Sequence, residues 1–357
     1  MTPTDREDAA MTNTTPQPRR RRGTRVTLRE VAEAAGVSTA TVSHVLNNTS
    51  GARIGPETRQ RVRDAADSLG YRPNAAAKNL VTGTTRFIGL VADAIATTPF
   101  AGQIIHGAQD AAWRQGYTLL VANTAGNAEA ERDAIAMMLD HQVYGILYST
   151  WYHRAVEPPA SLRGTNTILV NCYAPGTDLP AVVPDEVQGG REATQVLLDA
   201  GHRRIAFVNT TTPSPAHDGR LRGYTEALRE AGIAFDPALV FEAQPEQEGG
   251  YNILPRVLEG AATAVFCHND RVAMGLYDAV RDRRLAVPAD LSVVGFDNQE
   301  VIAAHLRPPL STVALPHGEL GAAGVRLLLG LEDAPPGGRL EVTCPAVLRE
   351  SVRDVAP

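Results

Sequence analysis

Two regimes of hydrophobic patterning divide the chain. Up to about Leu69 the apolar residues recur at helical spacing, and from Phe87 onward they gather into short, nearly continuous runs. In the first regime Leu28, Val31, Ala32 and Ala35 fall on one helical face, and Thr27 with Glu30 forms a capping-box pattern that predicts the start of that helix. Gly36 follows it. Ser38 then stands where its hydroxyl can cap a second helix, in which Val42, Val45 and Leu46 at i, i+3 and i+4 make a buried face while Thr39, Ala40, Ser43 and His44 lie around the other side. A third helix is predicted from Pro56 to Leu69, with Val62, Ala65, Ala66 and Leu69 in helical register and Gly70 as its stop. Two short helices joined through a glycine are the helix-turn-helix arrangement, whose second helix offers its first residues to base edges in the major groove. The same pattern also suits two amphipathic helices that simply pack in a helical core.

In the second regime strands are predicted at Phe87 to Asp93, Tyr117 to Asn123, Tyr144 to Ser149 and Thr167 to Asn171, and again at Arg204 to Asn209, Leu239 to Ala243, Thr263 to Asn269 and Leu291 to Asp297. Near-continuous apolar strands separated by helical segments imply parallel sheets covered on both faces, a doubly wound α/β architecture. Ligands of such sheets meet the loops at the carboxyl ends of the strands. Polar residues stand at several of these ends: Asn171 closes ILVN, Asn269 and Asp270 close FCHND, Asp297 lies in GFDN, and Arg220 lies in HDGRLRGY. Asp270 is expected to cap a helix beginning near Arg271.

The segment from Thr27 to Asn47 reads T-L-x-x-V-A-x-x-A-G-V-S-x-x-T-V-S-x-V-L-N. It resembles the LacI family of bacterial transcriptional repressors, and STATVSHVLN is most similar to the purine-repressor branch, in which a histidine takes the place of His44. The resemblance implies that Thr39, Ala40 and His44 face bases and Ser43 faces phosphate, with Thr27, Ser38, Thr41 and Asn47 completing the DNA-binding set. Ala40 would read only a thymine methyl group, or nothing. YRPNAAAKNL, from Tyr71 to Leu80, is similar to the family's hinge, where two short helices pair in the minor groove and an apolar residue wedges into the central base step. That residue would be Leu80, with Asn74 and Lys78 beside it.

For the rest of the chain the resemblance implies two lobes of the periplasmic-binding-protein type with an effector cleft between them. Arg220 and Asp297 would bond the effector, Asn171 and Asn269 would join or support them, and Phe100 would form an apolar wall. The expected division is a disordered basic tail over 1–24, the helix-turn-helix module over 25–72, the hinge over 73–84, and the two-lobed effector-binding and dimerisation domain over 85–357.

Composition sharpens this picture in a few places. The formal net charge of −6 hides an asymmetry, because Lys and Arg outnumber Asp and Glu up to Arg86 and the reverse holds beyond it. A basic N-terminal module on an acidic body points to a polyanion partner for the first part alone. Arg19 to Arg22 form a run of four arginines, either a solvated tail or an arm that adds phosphate attraction. The three cysteines, Cys172, Cys267 and Cys344, lack zinc or C-x-x-C spacing and read as reduced, packed thiols. No run reaches the roughly 20 apolar residues of a membrane span and no signal-peptide core opens the chain, so a cytoplasmic protein is expected.

Catalytic motifs are missing. The sole lysine, Lys78, follows Ala77 rather than a phosphate-binding glycine, and GVSTA at Gly36 is the nearest approach to a G-x-S-x-G elbow. The nine histidines are scattered. Neither a cofactor nor a metal is expected. The partners expected are a near-palindromic double-stranded operator, a second copy of the chain and a small polar effector, with a dimer rather than a tetramer because no leucine repeat follows VLRESVRDV.

The purine branch implies an arginine near Ser214 and an aromatic ring near Cys172, and this chain is expected to have neither. A carbohydrate is therefore the first expectation, with a nucleoside, nucleobase or other small polar metabolite behind it. The rival classes are a solute-binding protein and a sugar-processing enzyme.

Overall fold

The computed structural model of the chain describes residues 26–47, 53–72, 85–98, 101–335 and 338–355. Contacts divide the chain into two units, Met1–Gly83 and Thr84–Pro357.

In the first unit, helices α1 (Leu28–Ala35), α2 (Thr39–Leu46) and α3 (Pro56–Leu69) enclose a small core. The capping box is present in both directions. The Thr27 backbone N–H donates to Glu30 at 2.6 Å, and the Glu30 N–H donates to the Thr27 hydroxyl at 3.3 Å. Gly36 ends α1 at φ 63°, a left-handed conformation that glycine adopts without a Cβ penalty. Ser38 caps α2 by accepting from the Thr41 N–H at 3.1 Å. Val31, Val42, Val45 and Val62 are buried at the centre, so each helix contributes to a core too small for any one of them to form alone.

The second unit contains two six-stranded sheets. The first has the order β11-β5-β4-β3-β1-β2 and joins β1 (Phe87–Ala92), β2 (Thr118–Asn123), β3 (Ile146–Ala155), β4 (Thr167–Tyr173), β5 (Ala181–Pro184) and β11 (Arg339–Val342), all parallel. The second has the order β12-β10-β9-β8-β6-β7 and joins β6 (Ile205–Thr210), β7 (Val240–Ala243), β8 (Ala264–Cys267), β9 (Ser292–Asp297), β10 (Ser311–Ala314) and β12 (Ala346–Val347). Among the described residues only β12 runs antiparallel to its neighbour there.

All eight strands read from the apolar runs are present. Four were not read: β5, β10, β11 and β12 are two to four residues long, and β11 alternates between exposed and half-buried positions at a sheet edge.

Helices α4 (Gly102–Arg114) and α5 (Ala128–Asp140) cover the first lobe, and α6 (Glu186–Asp199), α7 (Pro215–Glu230), α8 (Gln247–Glu259) and α9 (Asp270–Asp282) cover the second. A short helix, α10 (Glu300–Ala303), follows β9. Among the described residues the chain crosses between lobes three times, from β5 to α6, from β10 to α11 (His317–Leu328), and from β11 to β12. Helix α11 returns to the first lobe and packs on α4 so closely that a Cβ on Gly107 would lie 1.8 Å from the Gly318 carbonyl oxygen.

Asp270 does not cap α9. That helix begins at Asp270 itself, and Asn269 is the cap, accepting from the Val272 N–H at 2.9 Å. Asp270 is instead fully buried and binds the Thr312 hydroxyl and the Gln299 N–H, each at 2.6 Å, which ties α9 to the ends of β9 and β10. All three cysteines are free and buried, and burial pushes each thiol pKa upward.

Candidate functional site

The two units each carry one candidate surface. On the first, α2 presents Thr39, Ala40 and His44 to solvent, with Thr41 and Ser43 half-buried and Thr27, Ser38 and Asn47 exposed around them. The Asn47 side chain donates to the Ser43 hydroxyl at 3.3 Å, which orders the far end of the row. A convex helix face of short polar side chains fits a major groove, since no bulky residue holds the backbone away from base edges. Asn74, Lys78 and Leu80 lie outside the described residues, as does the arginine run at 19–22.

On the second unit, a cavity of about 330 Å³ opens between the lobes, at the carboxyl ends of their strands. The first lobe lines it with Trp151, Tyr152 and His153 from β3 and Asn171 from β4; the second lobe contributes Thr210, Arg220, Asn269 and Asp297. Glu186 and His317, the first residues of α6 and α11, enter the lining where the chain crosses between lobes. Four of the five effector residues read from the sequence thus meet in one cavity. The fifth, Phe100, lies outside the described residues.

Arg220 is the organising group. Its guanidinium stacks over the Phe296 ring with 3.6 Å to the centroid, donates from Nε to Glu186 Oε2 at 2.9 Å and from Nη1 to the His268 carbonyl, and places Nη2 3.8 Å from Asp297 Oδ1. Asp297 sits at φ 98° and is followed by Asn298 at φ 51°, a left-handed bend that ends β9 at the cavity. Burial pushes the Asp297 carboxyl up to about 6, against the pull of Arg220 and a 2.9 Å bond from the Gln299 side chain. Glu186 is equally buried, yet its pKa is lowered, because Arg220 and the His153 ring, at 3.3 Å, outweigh the cost of desolvation. His268 and His317 are both pushed down by burial and held neutral, His317 to about 4.

The two asparagines are largely engaged by protein. Asn171 donates to the Thr150 carbonyl at 3.0 Å, and Asn269 donates to the Pro245 carbonyl at 3.0 Å while capping α9. Sequence reading missed Glu186, His153, Trp151, His268 and His317. Glu186 precedes no apolar run that marks it, and β3 extends six residues beyond the predicted end at Ser149, carrying Trp151, Tyr152 and His153 into the cavity. An aromatic residue does follow Cys172, contrary to expectation. The Tyr173 ring, however, packs beneath the Arg339 guanidinium at 4.1 Å and against His153 at 5.8 Å.

Residues 27–74 match the family described as bacterial regulatory proteins, lacI family, and residues 194–352 match the periplasmic binding protein-like domain. Over 337 residues the chain is 32% identical to the HTH-type transcriptional repressor PurR of Mannheimia succiniciproducens, a match that covers 92% of this chain and 99% of that protein. The chain belongs to the lacI family.

Two solved structures of the family extend the comparison. The lac repressor dimer bound to operator and the anti-inducer ONPF has a TM-score of 0.73 at 26% identity, and the transcriptional regulator CelR–cellobiose complex has a TM-score of 0.61 at 29% identity. Each match covers 92% of this chain and 100% of the other. As a lacI-family member the chain is a DNA-binding transcriptional regulator of the repressor type, controlled by a small effector, and not an enzyme. Among the described residues no helix is long and apolar enough to cross a membrane.

Proposed function

We propose that the chain is a cytoplasmic dimer that binds a near-palindromic operator, and that a carbohydrate held between the lobes sets its operator affinity. One observation carries the choice of ligand: a guanidinium and a carboxylate, Arg220 and Asp297, lie side by side in a cavity also lined by the Trp151 indole. Neighbouring hydroxyls on a sugar ring donate to the carboxylate and accept from the guanidinium, while the apolar face of the ring suits an aromatic wall. The cellobiose complex among the relatives supports the same chemistry.

The division into a module over 25–72, a hinge over 73–84 and an effector domain over 85–357 gives this ligand its route to DNA. Because Glu186 and His317 belong both to the cavity and to the crossovers, an occupant bears directly on the segments about which one lobe turns against the other. Pairing of the hinge segments, with Asn74, Lys78 and Leu80 in the minor groove, would then respond to the angle of the lobes. Thr39, Ala40 and His44 read bases in each half-site, and Thr27, Ser38, Thr41, Ser43 and Asn47 bond or flank the phosphates.

A thermal-shift panel of sugars, nucleosides and nucleobases on the DNA-free protein tests the ligand class. A ligand at 100 times its Kd stabilises by about 2.7 kcal/mol, enough to see. A shift from a sugar that is lost in Asp297→Asn supports the reading. A shift from nucleobases alone sinks it.

A further inference from the structure

Glu186 opens α6 directly after the first crossover, and it is only 5% exposed. One of its oxygens accepts from Arg220 and the other faces the His153 ring. Arg220 therefore enters the cavity already flanked by two carboxylates, Glu186 and Asp297. Arg271, the other arginine of the lining among the described residues, lies 3.3 Å from Glu246. Each guanidinium thus has its own carboxylate, and His268 and His317 are neutral. An arriving anion would meet no unbalanced positive charge, and Glu186 and Asp297 would repel it in a site that water screens poorly.

Two imidazole nitrogens of the lining add a preference for a hydroxylated occupant. His153 Nε2 and His268 Nδ1 are buried, belong to side chains of this lining, and lack a hydrogen bond. Both residues are 8% exposed. A hydroxyl both donates and accepts, so it satisfies an imidazole nitrogen in either tautomer; the two histidines thus favour a polyhydroxylated occupant, and discrimination against an added phosphate or carboxylate rests on Glu186 and Asp297. Orphaned buried groups of this kind are costly until an occupant bonds them.

We propose that Glu186 is a specificity-determining residue that makes the cleft selective for uncharged, polyhydroxylated sugars over their phosphorylated or carboxylated counterparts. This rests on the carbohydrate reading above. Glu186 acts by cancelling the charge of Arg220 and by repelling anions, while the two histidines take hydroxyls of the neutral sugar.

The test is calorimetric titration of the full-length protein with matched pairs: ribose and ribose 5-phosphate, glucose and glucose 6-phosphate, glucose and glucuronate. In a pair that binds, the neutral member is expected to bind at least tenfold more tightly, and Glu186→Gln is expected to shrink that ratio at least threefold. A second readout needs no variant. Added salt screens repulsion, so the wild-type affinity for the anionic member should rise with salt while that for the neutral member stays level.

An anionic member that binds as tightly as its neutral partner, an anionic affinity that weakens with salt, or a ratio unchanged in a folded Glu186→Gln protein overturns the proposal and leaves the carbohydrate reading standing. Absence of binding by every sugar, neutral or charged, overturns both.

Discussion

Arg220 donates its Nε–H to Glu186 at 2.9 Å, and both side chains are buried, at 4% and 5% exposure. The pair joins α7 to the first residue of α6, so it fixes the crossover as well as the floor of the cavity. Removing one partner of a buried pair leaves the other charge unsolvated, at a cost of about 3–5 kcal/mol. Arg220→Ala is therefore expected to lower the melting temperature sharply as well as to abolish effector binding. Replacing both residues, as in Arg220→Met with Glu186→Leu, is expected to recover most of the stability and none of the binding. Thermal denaturation of the single and double variants checks this; equal losses in both would show that the pair is not the source.

The Asp297 carboxyl titrates in an accessible range. The groups facing it are Arg220 from α7, Asp270 and Arg271 from α9, Glu186 from α6 and the Gln299 amide, and burial outweighs the pull of the two arginines and the amide to raise its pKa from 3.8 to about 6. Hydroxyl donors need the ionised form. Effector affinity is expected to be level above about pH 7 and to fall roughly tenfold by about pH 5, following one protonation per site near 6. Calorimetric titration of the wild type across this range is the measurement; an affinity that stays level down to about pH 5 would remove the Asp297 carboxylate from the set that bonds the effector.

Stability responds to the same acidification with two opposite signs. Asp297 has a folded pKa above its unfolded value, so its contribution is fully present below about 4 and is lost as pH rises through about 6. His317 has a folded pKa near 4, below its unfolded value of 6.5, so its contribution is present above 6.5 and is lost as pH falls through about 4. The two shifts are similar in size and largely offset each other. Relative to wild type, His317→Gln is expected to gain stability as pH falls from about 6.5 to about 4, on the order of 3 kcal/mol. Melting curves at pH 7 and pH 4.5 decide it, and no relative gain at the lower pH would contradict the assignment.

Helix α2 depends on its cap. Ser38 satisfies the Thr41 N–H, and Ser38→Ala is expected to cost the small three-helix unit about 1 kcal/mol. Operator affinity should fall with it, and Ser38→Asp should restore the helix as judged by circular dichroism. His44→Ala, which leaves the fold of α2 intact because His44 is exposed, is expected to relax the preference at one base pair per half-site. A selected-sequence profile unchanged from wild type would remove His44 from the base-reading set.

The parts that were legible in the sequence share a physical cause. Thr27, Glu30, Gly36 and Ser38 act on backbone groups a few residues away, so their chemistry can be read locally, and all of them do in the structure what their spacing implies. The core strands announce themselves because parallel strands buried on both faces are apolar throughout. Glu186 and His153 were illegible for the opposite reason. They stand 33 residues apart, on different lobes, and only the crossover at the end of β5 brings them together. Asp270 misled for a related reason: its position suits a helix cap, but Asn269 one residue earlier takes that role and frees Asp270 to bind Thr312.

The most direct test of the account is operator binding with and without sugar. Sites selected from random duplex DNA by the full-length protein give the operator, and its Kd is then measured at fixed salt in the presence of each sugar that shifts the melting temperature. The account predicts a near-palindromic consensus and a change of at least tenfold in Kd with one sugar, abolished by Asp297→Asn. An asymmetric single-site consensus, or a Kd indifferent to every sugar that binds, would contradict it.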